Sequence, residues 1–397
     1  MTASLLFGCS GEKKDDSAPD YQIGLVLIGD ENNCRSNAHI LGIRKACAAL
    51  GLSENKNIFT VYNVPGDESC YQAIVSCLNK GCTLVITDDA SHESYTLQAA
   101  SEYPEFQFVS IGGSAANSRG LANYHNASVK SQDACYTAGV VAGKKLCELE
   151  LGGTLTEDNL NEDGAIKVGF VGYAACSEVI SDYTAFYLGI RSVEKNVTML
   201  VQYTNARNDP EKEYDAAISL IERGCVILGQ HTDSAAPAEA CQQALDAGMC
   251  VYSVGCGFEQ PENVPDAFLV SAMSDWESCY TYILGAFSSG EKFAQDWIGG
   301  YTENAICLSD FGTACAEGSA EAAAQTIARL TGEIFHVFAT SAFTVKGEAV
   351  ESAYVTDSDG DGIYDENEAV FNGYFHERYY SSAAAFDLRI DGISELN

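Results

Sequence analysis

From residue 22 onward, short apolar runs alternate with longer stretches whose apolar positions recur every three or four residues. The runs at 22–28, 58–62, 83–87 and 106–111 have strand length, and the stretches at 38–50, 71–78 and 94–102 between them have helical spacing. A strand–helix–strand succession at this spacing needs crossover connections, which are right-handed in nearly all cases and make the sheet parallel. That unit closes near residue 125, and a helix at 134–147 and a polar loop follow. The alternation then restarts, with strands at 165–171, 197–203, 226–228, 250–254 and 268–271 and helices at 177–193, 211–223 and 236–247. The predicted fold class is therefore α/β, with two doubly wound parallel-sheet lobes one after the other.

Composition narrows what such lobes can do. Twenty-two Lys and Arg against 56 Asp and Glu leave a formal charge of −34, a field that repels phosphate backbones and anionic lipid. Nucleic acid is excluded as a partner. With 46% hydrophobic residues in 397, the chain has apolar material for two cores and does not read as disordered. No stretch approaches the roughly 20 uninterrupted apolar residues of a membrane-spanning helix. The 16 cysteines show no close two-plus-two zinc spacing, and positions such as Cys47, Cys147, Cys225 and Cys250 stand where Ala or Val would serve. Most are expected to be buried free thiols, with a few surface pairs left open.

The first residues end a short apolar piece with Leu6-Phe7-Gly8-Cys9 and continue into a polar run through Pro19. This is similar to a bacterial lipobox, in which the Cys carries the lipid. A full signal has a cationic region and 7 to 15 apolar residues that this sequence does not show, so the expectation concerns a longer precursor. Residues 1–20 then read as a lipoprotein-like start and tether, with Cys9 the lipidation site and the protein lipid-anchored outside the cytoplasm. The alternative is an ordinary buried Cys in a frayed terminus.

In open parallel sheets ligands sit beyond the carboxyl ends of the strands. Those positions hold Gly29-Asp30, Asp88-Asp89, Gly112-Gly113, Gly172-Tyr173, Gln230-His231-Thr232-Asp233, Gly255-Cys256-Gly257 and Asp275-Trp276. No phosphate loop, nucleophile elbow or His-Glu-x-x-His motif is among them. Several longer pieces, however, fall into one pattern. Gly229–Ser234, Asn205–Glu213, Ala185–Val193, Asp296–Gly300, Tyr103–Phe108 and Ala138–Gly143 together resemble the BMP family of substrate-binding lipoproteins of ABC importers, related to a purine-nucleoside receptor. The resemblance covers about residues 21–315 and continues weakly to Leu396.

The resemblance implies a type I periplasmic binding protein fold, with two Rossmann-like lobes joined by a three-segment hinge. Lobe 1 would hold 21–125 plus 276–315, lobe 2 would hold 126–275, and 316–397 would form a tail returning to the lobes. It also implies hinge closure over a ligand and delivery to an ABC permease complex, by a monomer, with no chemistry on the ligand. Related members hold a flat base between two aromatics, and aligning the segments places Arg35 and Arg207 where those aromatics are expected. A guanidinium can stack on a base, but it also offers a fork to a carboxylate or phosphate. Asp30 and Asp233 match acidic positions for ligand hydroxyl or amine groups, with helix capping as the alternative. Trp276 is either a cleft aromatic or core, and His231 reads as a hydrogen-bonded structural residue. The expected ligand-binding set is Asp30, Arg35, Asn37, Asp88, Tyr173, Arg207, Gln230, Asp233 and Trp276.

One motif stands apart. Residues 357–368 fit Asp-x-Asp-x-Asp-Gly-x5-Glu in full, with Asp357, Asp359, Asp361, the Ile363 carbonyl, Asp365 and Glu368 at calcium-ligand positions. Six acids in these twelve residues repel one another without a cation. A structural Ca²⁺ is the expected cofactor, peripheral to the cleft. The whole reads as an extracytoplasmic solute-binding lipoprotein for a nucleoside-like or other small polar solute, anions included. The rivals are a ligand-sensing partner of a membrane kinase or chemoreceptor, and a hydrolase or transferase using Asp233 and His231 as acid and base.

Overall fold

A computed structural model describes residues 22–355 and 366–397. The first sheet is all parallel in the order β2-β1-β3-β4-β5-β11, with β1 Gln22–Val26, β2 Ile58–Val61, β3 Cys82–Thr87, β4 Gln107–Ile111, β5 Tyr124–Val129 and β11 Asp296–Gly299. The second runs β7-β6-β8-β9-β10-β12, with β6 Ile166–Gly172, β7 Val197–Tyr203, β8 Ile227–His231, β9 Tyr252–Cys256, β10 Phe268–Ser274 and an antiparallel β12, Ile306–Leu308. A last strand, Ile393–Glu395, adds in parallel to the outer side of β7.

The helices are α1 Cys34–Leu50, the one-turn α2 Glu54–Asn57, α3 Glu68–Asn79, α4 Glu93–Glu102, the one-turn α5 Ala116–Arg119, α6 Ser131–Leu151, α7 Ser177–Val193, α8 Pro210–Glu222, α9 Ala236–Asp246, α10 Glu277–Ser289 and α11 Ser319–Thr331. Among the described residues, no helix is long and apolar enough to cross a membrane. The chain passes between the sheets after β5, after β10 and between β11 and β12. Each sheet therefore receives strands from distant parts of the sequence, as connections of this kind require.

Local chemistry explains the elements nearest the cleft. The Asn33 side chain accepts from the Ser36 N–H and caps α1, so the helix starts four residues before the predicted residue 38. Helices α6 and α7 approach so closely that a Cβ on Gly139 would lie 2.2 Å from the Phe186 carbonyl oxygen, and one on Gly189 2.1 Å from that of Tyr136. Only glycine permits this contact.

Other departures have physical reasons. Residues 124–129 form a buried central strand of the first sheet, where the reading ended a unit at 125. The polar residues His125 and Asn126 are accommodated there because His125 bonds the Ala294 carbonyl and Asn126 Oδ1 accepts from the Ala116 N–H. Residues 126–129 thus join the first sheet, and 306–308, assigned to lobe 1, join the second. In the tail, a strand forms at Ile393–Glu395, pairing with β7. Cysteines among the described residues are free thiols; Cys47 and Cys225 are buried, while Cys147 and Cys250 are half-buried.

Cys9, Asp357, Asp359, Asp361, Ile363 and Asp365 lie outside the described residues. Glu368 is exposed, and its carbonyl accepts from the Tyr380 hydroxyl at 2.9 Å.

Candidate functional site

Between the lobes lies a cavity of about 310 Å³. Lobe 1 lines it with the start of α1 (Cys34, Arg35, Ala38) and the loops after β3 and β4. Lobe 2 contributes Tyr173, the first turns of α7 (Glu178, Asp182), the loop after β8 (His231, Asp233) and Cys256. The crossing segments add Ser128, Ser131 and Trp276, and the tail adds Arg378, Ala383 and Ala384. The cavity therefore sits beyond the carboxyl ends of the strands, the place that open α/β sheets reserve for ligands.

Charged side chains span the lobes here. Arg35 Nη1 is 3.1 Å from Glu178 Oε1, and its Nε is 3.5 Å from Asp89 Oδ2. Arg207 returns the contact from lobe 2, with Nη1 3.2 Å from the same Asp89 oxygen. Its Nη2 donates to the Tyr173 hydroxyl at 2.7 Å, and its guanidinium lies 4.1 Å from the Tyr173 ring centre. A third bridge joins Asn33 Nδ2 to Asp233 Oδ2 at 2.9 Å. Deeper in lobe 2, His231 Nδ1 is 2.9 Å from Asp182 Oδ2, and the Ser131 hydroxyl donates to the other Asp182 oxygen at 2.8 Å.

These pairings set the protonation states. Burial alone would raise the pKa of Glu178, but Arg35, His231 and Arg207 reverse it and hold the carboxylate below its usual range. Asp89 behaves alike: burial opposes ionisation, and Arg35 and Arg207 prevail. Burial works against the His231 cation, yet Asp182 and Glu178 raise its pKa above the ordinary histidine value. Burial pushes the Cys34 thiol up to about 11, so it is protonated at neutral pH and not an activated nucleophile. Among the described residues, no group of three or more His, Cys, Asp or Glu is arranged to hold a metal ion.

The predicted site residues separate into three groups. Arg35, Tyr173, Asp233 and Trp276 line the cavity, with Arg207 standing directly behind Tyr173. Trp276 plays both of its anticipated roles, since it lines the cavity and packs 4.2 Å from the His39 ring. His231 faces the Asp182 carboxylate as an ion-pair partner, although the two atoms do not meet in hydrogen-bonding geometry.

Asp30, Asn37, Asp88 and Gln230 are not in the wall. Asp30 holds its own turn, accepting from the Asn32 N–H and from Asn63. Asn37 lies on α1. Asp88 is fully buried and ties the loop after β1 by accepting from the Ile28 N–H and the Ser36 hydroxyl, with burial raising its pKa to about 6. Gln230 braces its loop through Thr232 Oγ1 and the Ser234 carbonyl. Glu178, Asp182 and Arg378 also line the cavity, and Asp89 pairs with both arginines, although none of the four is in the expected ligand-binding set.

Comparison with known proteins agrees with this architecture. Residues 37–314 match the family described as ABC transporter substrate-binding protein PnrA-like. A putative ABC transporter glucose-binding protein of Haloferax volcanii is 30% identical over 199 residues, covering 50% of this chain but only 47% of its own length. A purine-binding protein of Brucella abortus is 26% identical over 73% of this chain and 75% of its own. A solute-binding protein of an ABC transporter system from Conexibacter woesei superposes with a TM-score of 0.61 at 18% identity, over 80% of this chain and 98% of that one, a likeness of fold. With two parallel-sheet lobes, three crossings and a ligand-sized cavity between them, and with a family match over more than half its length, the chain belongs to the PnrA-like substrate-binding proteins of ABC transporters, the Bmp family.

Proposed function

We propose that this protein captures a small, neutral, hydroxyl-rich solute outside the cytoplasm and presents it to an ABC permease. The carrying observation is an interlobe cavity of about 310 Å³, at the small end of the range for ligand pockets, in whose wall Arg35 is already paired with Glu178 and His231 with Asp182. A hydroxyl both donates and accepts, so it suits a wall in which Glu178, Asp182 and Asp233 accept while Arg35 donates. An anion meets three carboxylates in the wall, with Arg35 already engaged by Glu178 and Arg207 by Asp89. The anionic ligand that two arginines suggested is therefore disfavoured.

Trp276 and Tyr173 are the aromatic side chains of the cavity wall. This favours a monosaccharide or the ribose end of a nucleoside over recognition of a base alone. The names of the two relatives, glucose-binding and purine-binding, bracket the same choice. Cys9 as a lipid anchor and residues 357–368 as a calcium loop belong to the same proposal.

Calorimetry with D-glucose, adenosine and their phosphate esters tests it. A neutral member should bind at least tenfold more tightly than its ester. Tighter binding of the esters would overturn the reading.

A further inference from the structure

The family match ends at residue 314, yet Arg378, Ala383 and Ala384 stand in the cavity wall. The segment that carries them is fastened from both sides. Arg378 Nε donates to Gln132 Oε1 at 3.1 Å, Nη1 donates to Ser128 Oγ at 3.2 Å and to the Ser382 carbonyl, and Nη2 reaches Ser131 Oγ at 3.5 Å. Asp296 Oδ2 accepts from the Ser382 N–H at 2.8 Å, and Asn117 Nδ2 donates to the Tyr380 carbonyl at 3.1 Å. Ser128 and Ser131 flank the first crossing between the lobes, so the tail is fixed to the part of the cleft that moves least when lobes swing.

Arg378 differs in kind from the other two arginines. Arg35 and Arg207 each lie within 3.2 Å of a carboxylate oxygen, whereas every hydrogen-bond acceptor of Arg378 is a neutral oxygen. Its nearest carboxylate, Glu377, is 3.8 Å from Nε, and both Glu377 oxygens are buried without a hydrogen-bond partner of good geometry. A guanidinium has five N–H donors. Four are engaged, one of them over a long 3.5 Å, which leaves an Nη2 N–H for the cavity that Arg378 lines.

We infer that Arg378 is a ligand-anchoring, specificity-determining residue supplied by the tail, donating to an acceptor oxygen of the bound solute. The inference rests on the hydroxyl-rich reading above and deepens it. The wall carboxylates accept from the solute's hydroxyl hydrogens, and Arg378 donates to a hydroxyl or ring oxygen on the opposite edge.

The test is calorimetry of the full chain with D-glucose and with adenosine, using the wild type, Arg378→Gln, Arg378→Lys and Asp296→Asn. A hydrogen bond from a charged donor accounts for about tenfold or more in affinity. Arg378→Gln should therefore weaken the probe that the wild type binds by at least tenfold, and Arg378→Lys should weaken it less. Asp296→Asn, which loosens the tail without touching the guanidinium, should leave affinity within about twofold. Unchanged binding in Arg378→Gln would overturn the inference while leaving the cleft reading intact. Equal weakening by Asp296→Asn would reduce Arg378 to a positioning residue and overturn it as well. Failure of the wild type to bind either probe would sink the hydroxyl-rich reading and this inference with it.

Discussion

Asp89→Asn is the sharpest test of the closed arrangement. Asp89 is 1% exposed and serves two guanidiniums, those of Arg35 and Arg207, which are 16% and 20% exposed. Removing one partner of a buried pair costs about 3–5 kcal/mol, because the other charge is left buried and uncompensated. Glu178 remains as a second partner for both arginines, so the lower end, about 3 kcal/mol, is the expected loss. Asparagine keeps the local fold, since Asp89 Oδ1 also accepts from the Ser91 N–H and Asn caps as well as Asp.

The assay is urea unfolding at pH 7, with slope and midpoint fitted separately. Adding Arg207→Met to the Asp89→Asn background should recover about 1 kcal/mol or more, the signature of direct coupling. The pH dependence has a fixed sign. The Asp89 pKa is lowered from 3.8 on folding, so its contribution is complete above that value and is lost as pH falls through the lower, folded one. A loss below about 1 kcal/mol with an unchanged slope, the size seen for solvated surface pairs, would show that the arginines are hydrated and the lobes stand apart in solution.

If residues 357–368 bind Ca²⁺, millimolar calcium should raise the melting temperature by mass action and a chelator should lower it, and Asp361→Ala should abolish the shift; an absent shift rules the site out. Burial pushes the Glu377 carboxyl from 4.5 up to about 7. The stability carried by its neutral form is thus full below pH 4.5 and lost as pH rises through 7, a decline of up to about 3 kcal/mol that thermal melts of Glu377→Gln should not show. In a bacterial host, a full-length precursor should fractionate with membranes in diacylglyceryl-modified form, and Cys9→Ser should release it; native protein found in the cytosol would refute the anchor.

The alternation of strands and helices was legible because the inner strands of both sheets, such as β3, β4, β6 and β8, bury nearly every position, so apolar runs and turn residues mark them. β5 was not legible, because its polar residues are satisfied by partners remote in sequence, such as Ala294 for His125. The cleft was half legible for a related reason. Asp88 and Asp89 are adjacent, and pleat alternation sends one back into lobe 1 and the other toward the arginines. Composition treats the two alike. Glu178 and Asp182, four apart on α7, form no motif in the sequence, because their partners Arg35, His231 and Ser131 come from remote segments. Arg378 lay in the tail, where the resemblance is weak and no motif marks it.

The strand Ile393–Glu395 completes the second sheet beside Met199–Val201, a pairing nearly two hundred residues long in sequence. On a ribosome, the outer side of β7 emerges early and then waits for most of the remaining chain with its backbone donors and acceptors unpaired. Such an edge is a template for pairing with another nascent chain, and contacts this distant are slow to form. The interval between the two strands is therefore when this protein is most exposed to aggregation. It is also when a holding chaperone would have the most to protect, and deleting Ile393–Glu395 would make that transient hazard permanent.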